Sequence, residues 1–268
     1  MTDTNAAPRR PISRRPISAY LVIVIALGTI GFLYAAVAPS GRAATSSSQE
    51  DLVVKGNQLF LQGCSSCHGL QGQGSEVAPS LIGVGAAAVD FQVGTGRMPL
   101  AERGAQPLEK TPRYTQADID AMAAFVQSLG GGPLVPRPEE YAASGTTPED
   151  LAEGGELFRT NCASCHNFVG KGGALTHGKY APDLTDTTPK HVYEAMSTGP
   201  ANMPIFGERT LNDEEKQRII KYLVHIRNMP DPGGNSLGRI GPVSEGLVGW
   251  LVGIGLLVVA TVWIGARP

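Results

Sequence analysis

Charged side chains are scarce in this sequence. They make up 17% of the 268 residues, whereas about 25% is typical of soluble globular proteins. Aromatic residues reach only 6%, while hydrophobic residues make up 42%. The 22 basic and 24 acidic side chains give a formal net charge of −2, so the chain lacks the strong basic character typical of nucleic-acid-binding proteins. The composition argues against nucleic acid as a partner and predicts that apolar residues are concentrated in membrane segments.

Two uncharged stretches, one near each end, are long enough to cross a membrane. The first covers residues 19–38 and follows four arginines in the tail 1–18, and the second covers residues 247–265 and precedes Arg267. A spanning helix needs about 20 apolar residues, and its basic flank stays in the cytoplasm. We therefore expect both termini in the cytoplasm and the intervening residues on the extracytoplasmic side. A cleaved signal peptide is the alternative for the first stretch, and it would export the same region.

The exported region contains an internal repeat. A Gly-x-x-Leu-Phe segment at Gly56 precedes a Cys-x-x-Cys-His pentad, and the same order returns from Gly154. An Ala-Pro-x-Leu segment and a Met-Pro pair follow in both halves. Segments rich in Gly, Pro and small polar residues separate these parts, as expected of linkers. The predicted boundaries are 50–130 for the first repeat, 131–148 for the linker, 149–229 for the second repeat and 230–246 for a second linker.

Each repeat ends with a helical pattern. Thr115 is the predicted N-cap of this helix in the first repeat, and Asn212 is its counterpart in the second. Phe125 and Tyr222 occupy equivalent places, and Met122 shares the apolar face of Phe125, so we expect it in the core. The apolar faces contain Ile119, Met122, Phe125, Val126 and Leu129 in the first helix, and Ile219, Ile220, Tyr222, Leu223 and Ile226 in the second.

All four cysteines belong to the two pentads. Cys-x-x-Cys-His is the attachment signature of c-type haem, in which two thiols bond to the porphyrin and the histidine ligates the iron. Zinc and a disulfide or thioredoxin-like pair are the alternatives, but the two pairs lie farther apart than zinc-ribbon spacing and neither alternative requires the histidine. We predict two covalently bound haem c groups. The predicted thiol attachments are Cys64, Cys67, Cys162 and Cys165, and the predicted proximal ligands are His68 and His166.

Met98 and Met203 are the predicted second axial ligands. Each is followed by proline and preceded by a glycine-containing loop, at the same place in its repeat. A methionine thioether raises the potential of a haem in an electron carrier. The alternative for any methionine is packing in the core. His177, His191 and His225 have no counterparts in the first repeat, so we interpret them as solvated or packing histidines, with bis-histidine ligation of the second haem as a minority alternative.

The carbonyls of Pro79 and Pro182 are the predicted partners of the two proximal imidazoles. A ligating imidazole usually donates its other N–H to a backbone carbonyl or a carboxylate. Both prolines belong to the repeated Ala-Pro-x-Leu segment, downstream of their histidines. The same hydrogen bond is therefore expected in both repeats.

A polar insertion from Leu100 to Arg113 follows the Met98 loop and has no counterpart in the second repeat. Loops of this kind often carry function. We interpret it as a solvated excursion, with a docking loop for a partner as the less favoured alternative.

These motifs resemble the cytochrome c superfamily, in which a short helix leads into Cys-x-x-Cys-His and Pro-Leu and Met-Pro loops precede a closing aromatic helix. The resemblance covers roughly residues 50–130 and 149–229. It implies an all-α fold of two tandem class I-like cytochrome c domains, here flanked by an N-terminal and a C-terminal transmembrane helix. This arrangement is similar to that of the dihaem cytochrome cc subunits of actinobacterial menaquinol–cytochrome c reductases, the cytochrome bcc complexes.

This resemblance implies an electron-transfer subunit of the reductase, without a substrate-transforming site of its own. The implied partners are the cytochrome b subunit, the Rieske iron–sulfur subunit and a cytochrome aa3 oxidase, in a dimeric reductase complex of the cell membrane. The alternatives are a free-standing, membrane-tethered dihaem carrier, a dihaem subunit of a cbb3-type oxidase, and a dihaem dehydrogenase or peroxidase. The cbb3-type subunit differs because both its anchors precede the haem domains, and the enzymes need an open iron site.

Overall fold

The structure is a computed structural model, in which the chain forms two compact units, Met1–Asp51 and Leu52–Pro268. The predicted tail and the second linker lie largely outside the described residues. The described residues are 15–37, 42–102, 104–230, 237–239 and 242–266.

Helices account for nearly all of the regular structure, as the all-α prediction requires. The single exception among the described residues is a two-stranded antiparallel pair, β1 (Gly173–Ala174) and β2 (Tyr180–Ala181). The helices before the second repeat are α1 (Arg15–Val37), α2 (Arg42–Gly63), α3 (Ser65–His68), α4 (Ala86–Gly94) and α5 (Gln116–Ser128). The later ones are α6 (Pro148–Asn161), α7 (Ala163–His166), α8 (Pro189–Thr198), α9 (Asp213–Asn228), α10 (Pro242–Val248) and α11 (Gly255–Gly265), with a π-helical segment at Gly249–Ile254.

Both predicted N-caps are confirmed. The Thr115 hydroxyl accepts a hydrogen bond from the backbone N–H of Asp118 at 3.3 Å, at the start of α5. Asn212 accepts from the N–H of Glu215 at 3.0 Å, and the Glu215 carboxylate accepts from the N–H of Asn212 at 2.8 Å. Each bond satisfies an N–H group that the first helical turn leaves unpaired. The caps define where α5 and α9 begin.

Each repeat has its own hydrophobic core, built where its first helix crosses its last. In the first repeat the rings of Phe60 and Phe125 lie 5.1 Å apart, and in the second those of Phe158 and Tyr222 lie 5.7 Å apart. Met122 is 2% exposed, which confirms its core assignment. The predicted equivalence of Phe125 and Tyr222 therefore holds in the packing.

Glycine is required at both crossings. A Cβ atom at Gly56 would lie 1.9 Å from the carbonyl oxygen of Ala121, and one at Gly154 would lie 2.2 Å from that of Arg218. Both obstacles are backbone atoms, so a larger residue would force the two helices apart. The repeated Gly-x-x-Leu-Phe segment thus marks a close approach of the first helix to the last.

Among the described residues, one helix is long and apolar enough to cross a membrane. It covers Ser244–Gly265 with a mean hydropathy of 2.4. The other apolar helical stretch, Tyr20–Tyr34, falls short of that length. The helix Ser244–Gly265 agrees with the predicted C-terminal anchor. The membrane crossing near the N-terminus stays a prediction, since residue 38 lies outside the described part of the chain.

Candidate haem-binding sites

The two pentads adopt the same local conformation. The helix before each pentad ends at a bent cysteine, with φ and ψ of −126° and −35° at Cys64 and of −120° and −37° at Cys162. The backbone N–H of the pentad's histidine then donates to the carbonyl of the pentad's first cysteine, at 2.9 Å for both His68 and His166. This helical turn places two thiols and an imidazole within one short segment. None of the four thiols is bridged to another.

Both proximal imidazoles are oriented by a proline carbonyl, as predicted. Nδ1 of His68 lies 2.8 Å from the Pro79 oxygen, and Nδ1 of His166 lies 3.1 Å from the Pro182 oxygen. A carbonyl only accepts hydrogen bonds, so Nδ1 carries the proton in both rings. Nε2 is therefore left as the nitrogen that is free to ligate a metal.

His166 is well suited to remain neutral. Burial lowers the pKa of its imidazole, while the hydrogen bond to the Pro182 carbonyl acts weakly in the opposite direction. At neutral pH the ring is therefore uncharged, and only an uncharged imidazole offers a lone pair to iron.

A cavity in the second repeat connects these groups. Cys162, Cys165 and His166 line one part of it, and Met203 lines another. Most of the remaining wall is apolar, and it includes Phe158, Met196, Phe206, Ile219 and Leu223. Two thiols, one imidazole and one thioether around an apolar space are the donor set that haem c requires, so the residues present fit this group.

The predicted methionine ligands lie in loops fixed by backbone hydrogen bonds. The N–H of Met98 donates to the Gln92 carbonyl at 2.8 Å, and that of Met203 donates to the Pro200 carbonyl at 3.0 Å. Both side chains are partly buried, and each packs against the core of its own repeat.

The Leu100–Arg113 insertion lies against the second repeat. Neither of the two interpretations from the sequence, a solvated excursion or a docking loop for a partner, predicts this contact. The side chain of Gln106 accepts a hydrogen bond from the N–H of Tyr180 at 2.9 Å. Gln106, Pro107 and Glu109 all line the cavity of the second repeat. Although much of the insertion, Glu109 included, is exposed, the expectation of a merely solvated excursion is wrong for Gln106 and Pro107.

Acidic and basic side chains also join the repeats. Lys190 of α8 lies 2.6 Å from the Asp90 carboxylate of α4 and 3.8 Å from that of Glu194. Burial, together with the neighbouring Asp90, raises the pKa of Glu194 to about 9. Glu194 is fully buried and is therefore neutral at pH 7, which leaves Lys190 paired with one charged carboxylate.

Comparison with known proteins identifies both repeats. Residues 53–130 match the family described as cytochrome c, and residues 149–223 match that described as cytochrome c oxidase, cbb3-type, subunit III. A cytochrome bc1 complex cytochrome c subunit of Corynebacterium diphtheriae is 43% identical over 280 residues, which cover 100% of both chains. One of Mycobacterium bovis is 46% identical over 258 residues, covering 95% of this chain and 92% of the relative. The chain belongs to this family of cytochrome bc1 complex cytochrome c subunits.

As a family member with two cytochrome c domains, the protein carries two covalently bound haem c groups. A more distant likeness is to the cbb3-type cytochrome c oxidase subunit FixP of Azorhizobium caulinodans, 32% identical over 140 residues, which cover 49% of this chain and 43% of the relative. This second likeness is limited to part of the chain.

Sequence reasoning missed the residues of the first repeat that reach the second cavity. Phe91, Gln92 and Arg97 line it together with the three residues of the insertion. Nothing in the local sequence of α4 marks these side chains, because the contact depends on how the repeats pack. The only available signal was the insertion itself.

Proposed function

We propose that the protein is a membrane-anchored dihaem subunit of a respiratory quinol–cytochrome c reductase and relays electrons one at a time from the Rieske protein to a cytochrome aa3 oxidase. The observation that carries this proposal is the duplicated site, with its oriented imidazole and its methionine loop, in a chain that aligns end to end with bc1 complex subunits. This chain has the residues for two iron centres, which would let an electron pass from one to the other within one protein.

The proposed attachments are thioether bonds at Cys64 and Cys67 in the first repeat and at Cys162 and Cys165 in the second. The proposed axial pairs are His68 with Met98 and His166 with Met203. Haem c supplies a one-electron iron centre when it is bound. Ligation by the histidine and the methionine would leave the iron no open position, which disfavours oxygen or peroxide chemistry. The largely apolar wall of the second cavity would limit the access of water to a haem held there.

We place the two haem repeats on the extracytoplasmic side, with both termini in the cytoplasm and a membrane-spanning helix at each end. The apolar helix Ser244–Gly265 and the arginines around the two apolar stretches support this topology. Anchoring holds the haem repeats near their partners and raises the effective concentration of the redox sites. The proposed partners are the cytochrome b subunit, the Rieske subunit and the oxidase, in a dimeric reductase.

A dihaem subunit of a cbb3-type oxidase is the second candidate, favoured by the partial likeness to FixP and by the match of residues 149–223. A free-standing dihaem carrier is the third. Both differ from the proposed function in what would co-purify with the protein.

The deciding experiment is mild detergent extraction of native membranes through an affinity tag on this chain. We expect cytochrome b, a Rieske protein and an aa3-type oxidase in fixed ratio, with c-type haem in the reduced-minus-oxidised spectrum. A matched variant, Cys162→Ser with Cys165→Ser, is expected to retain one of the two c-type haems. Recovery of this chain alone, or with a cbb3-type oxidase, would overturn the proposed partners, and two haems in the variant would overturn the attachment.

A further inference from the structure

The cavity of the second repeat is completed by the first repeat. Phe91 and Gln92 of α4 contribute to its wall, and Arg97 follows them at the start of the Met98 loop. Gln106, Pro107 and Glu109 extend this wall from the insertion. The second haem would therefore lie against residues of both repeats.

Arg97 is the only lysine or arginine among the described residues that line this cavity. Haem c carries two propionate groups, and a carboxylate in an enclosed site needs a positive or hydrogen-bonding partner to offset its loss of hydration. The second repeat contributes polar groups such as Asn161 and Asn202 but neither a lysine nor an arginine to the described lining. The permanent positive charge in this cavity comes from the other repeat.

The guanidinium of Arg97 is held in place by neighbouring side chains of its own repeat. It lies 4.9 Å from the centre of the Phe91 ring, and its side chain is 14% exposed. One Nη atom lies 3.2 Å from the carboxylate of Glu109, whose side chain is 64% exposed. A guanidinium has five N–H donors, so a bond to Glu109 leaves others for a second carboxylate.

The backbone around Arg97 is fixed by the insertion. The ammonium of Lys110 donates to the carbonyl of Gly96 and, at 3.3 Å and 2.7 Å, to those of Arg97 and Pro99. Gly96 has a φ of +69°, and a Cβ there would lie 1.9 Å from the Lys110 carbonyl oxygen. The loop that presents Arg97 is therefore closely packed against the insertion.

We propose that Arg97 of the first repeat binds a propionate of the haem in the second repeat and raises the reduction potential of that haem. This inference rests on the proposed attachment of haem at Cys162 and Cys165. A positive charge next to the haem destabilises the ferric state, which carries one more positive charge than the ferrous state. Arg97 also immediately precedes Met98, so one short segment would provide a ligand to the first haem and a propionate contact to the second.

The test is a redox titration of the detergent-solubilised holoprotein, with the second haem identified as the wave that is lost in the Cys162→Ser, Cys165→Ser variant. Arg97→Gln should lower the midpoint potential of this wave, and Arg97→Lys should restore most of it. Glu109→Gln should raise it, because a negative charge is removed from the same place. Arg113→Gln changes an exposed arginine of the insertion outside the cavity and should leave it unchanged.

Opposite shifts from Arg97→Gln and Glu109→Gln support the proposal, because damage to the fold would not change sign with the charge. An unchanged second wave in Arg97→Gln, or shifts of one sign in both variants, overturns it. If Arg97→Gln does not retain the second haem, the shift of the midpoint potential in Glu109→Gln decides the test. Two retained haems in the double cysteine variant would instead indicate that the attachment assignment had failed.

Discussion

The two repeats share one set of predicted ligands but enclose them differently. His166 and Cys162 are 9% and 8% exposed, whereas their counterparts His68 and Cys64 are only half-buried. Part of this difference comes from the first repeat, which covers the second cavity with α4 and the insertion. After a duplication, two copies of a metal site can differ in the segments of the chain that cover them while their ligands remain the same.

This comparison predicts different potentials for the two haems. An enclosed, apolar site disfavours the extra charge of ferric iron, and the proposed contact from Arg97 acts in the same direction. The second haem is therefore expected to have the higher potential, and electrons would move from the first repeat to the second. Substitutions at the methionines and at the helix crossings test what the two repeats share. A substitution at Glu194 then tests the contact between the repeats.

The largest expected effect comes from replacing the proposed axial methionines, where both repeats should respond alike. Met98→His and Met203→His should each lower one midpoint potential by on the order of 0.1–0.3 V, because imidazole stabilises ferric iron more than a thioether does and axial ligands span about 0.8 V. Potentiometric titration measures both waves. Met122→Leu is the control, since Met122 lies in the core of the first repeat. A methionine whose replacement leaves both waves in place is not a ligand.

The next effect concerns the crossing of the first and last helices, which is also common to both repeats. Gly56→Ala and Gly154→Ala each introduce a Cβ within 2.2 Å of a carbonyl oxygen, and each should lower the free energy of unfolding by about 3 kcal/mol. Thermal unfolding of the holoprotein, followed by haem absorbance, measures this loss. Gly207→Ala is the control, because a Cβ there meets no atom within 4 Å. Wild-type stability of Gly154→Ala would show that the crossing is looser than described.

The smallest effect tests the contact between the repeats. The pKa of Glu194 is raised to about 9 by burial and by Asp90, so the folded protein keeps a proton that the unfolded chain releases above about pH 4.5. Stability due to this group therefore falls as the pH rises, by on the order of 2 kcal/mol between about pH 5 and pH 6.5. Lys190 and His191 are the other titratable groups that face Asp90 and Glu194.

Glu194→Gln keeps the shape of the neutral carboxyl and removes its titration. We expect the variant to lose this part of the pH dependence of thermal unfolding and to be more stable than the wild type at pH 8. Glu156→Gln, at an exposed site of α6, is the matched control. A wild-type pH profile in Glu194→Gln would show that Glu194 is charged in the folded protein.

The local parts of both sites could be predicted from the sequence. The pentads, the N-caps at Thr115 and Asn212 and the carbonyls of Pro79 and Pro182 depend on short-range spacing, and the repeat provides each pattern twice. The same holds for Met122, whose helical spacing places it with Phe125. These features follow from helix geometry and from the chemistry of single residue types.

The contacts between the repeats could not be predicted in this way. Arg97, Gln106 and Asp90 acquire their roles from α8 and the second cavity, which lie far away along the chain. His191 shows the limit clearly, because the sequence indicates a solvated or packing histidine but no partner for it. Its ring lies 6.0 Å from that of Phe91, edge to face, and thus packs across the two repeats.

The shared wall of the second cavity also constrains how the protein matures. The first repeat is synthesised before the second, so α4 and the insertion exist before Cys162 and Cys165 leave the ribosome. The docked insertion forms one side of the cavity, so a haem attached at these thiols would be enclosed by both repeats. We therefore expect changes in the first repeat to affect the loading of the second site, although the thiols themselves belong to the second repeat.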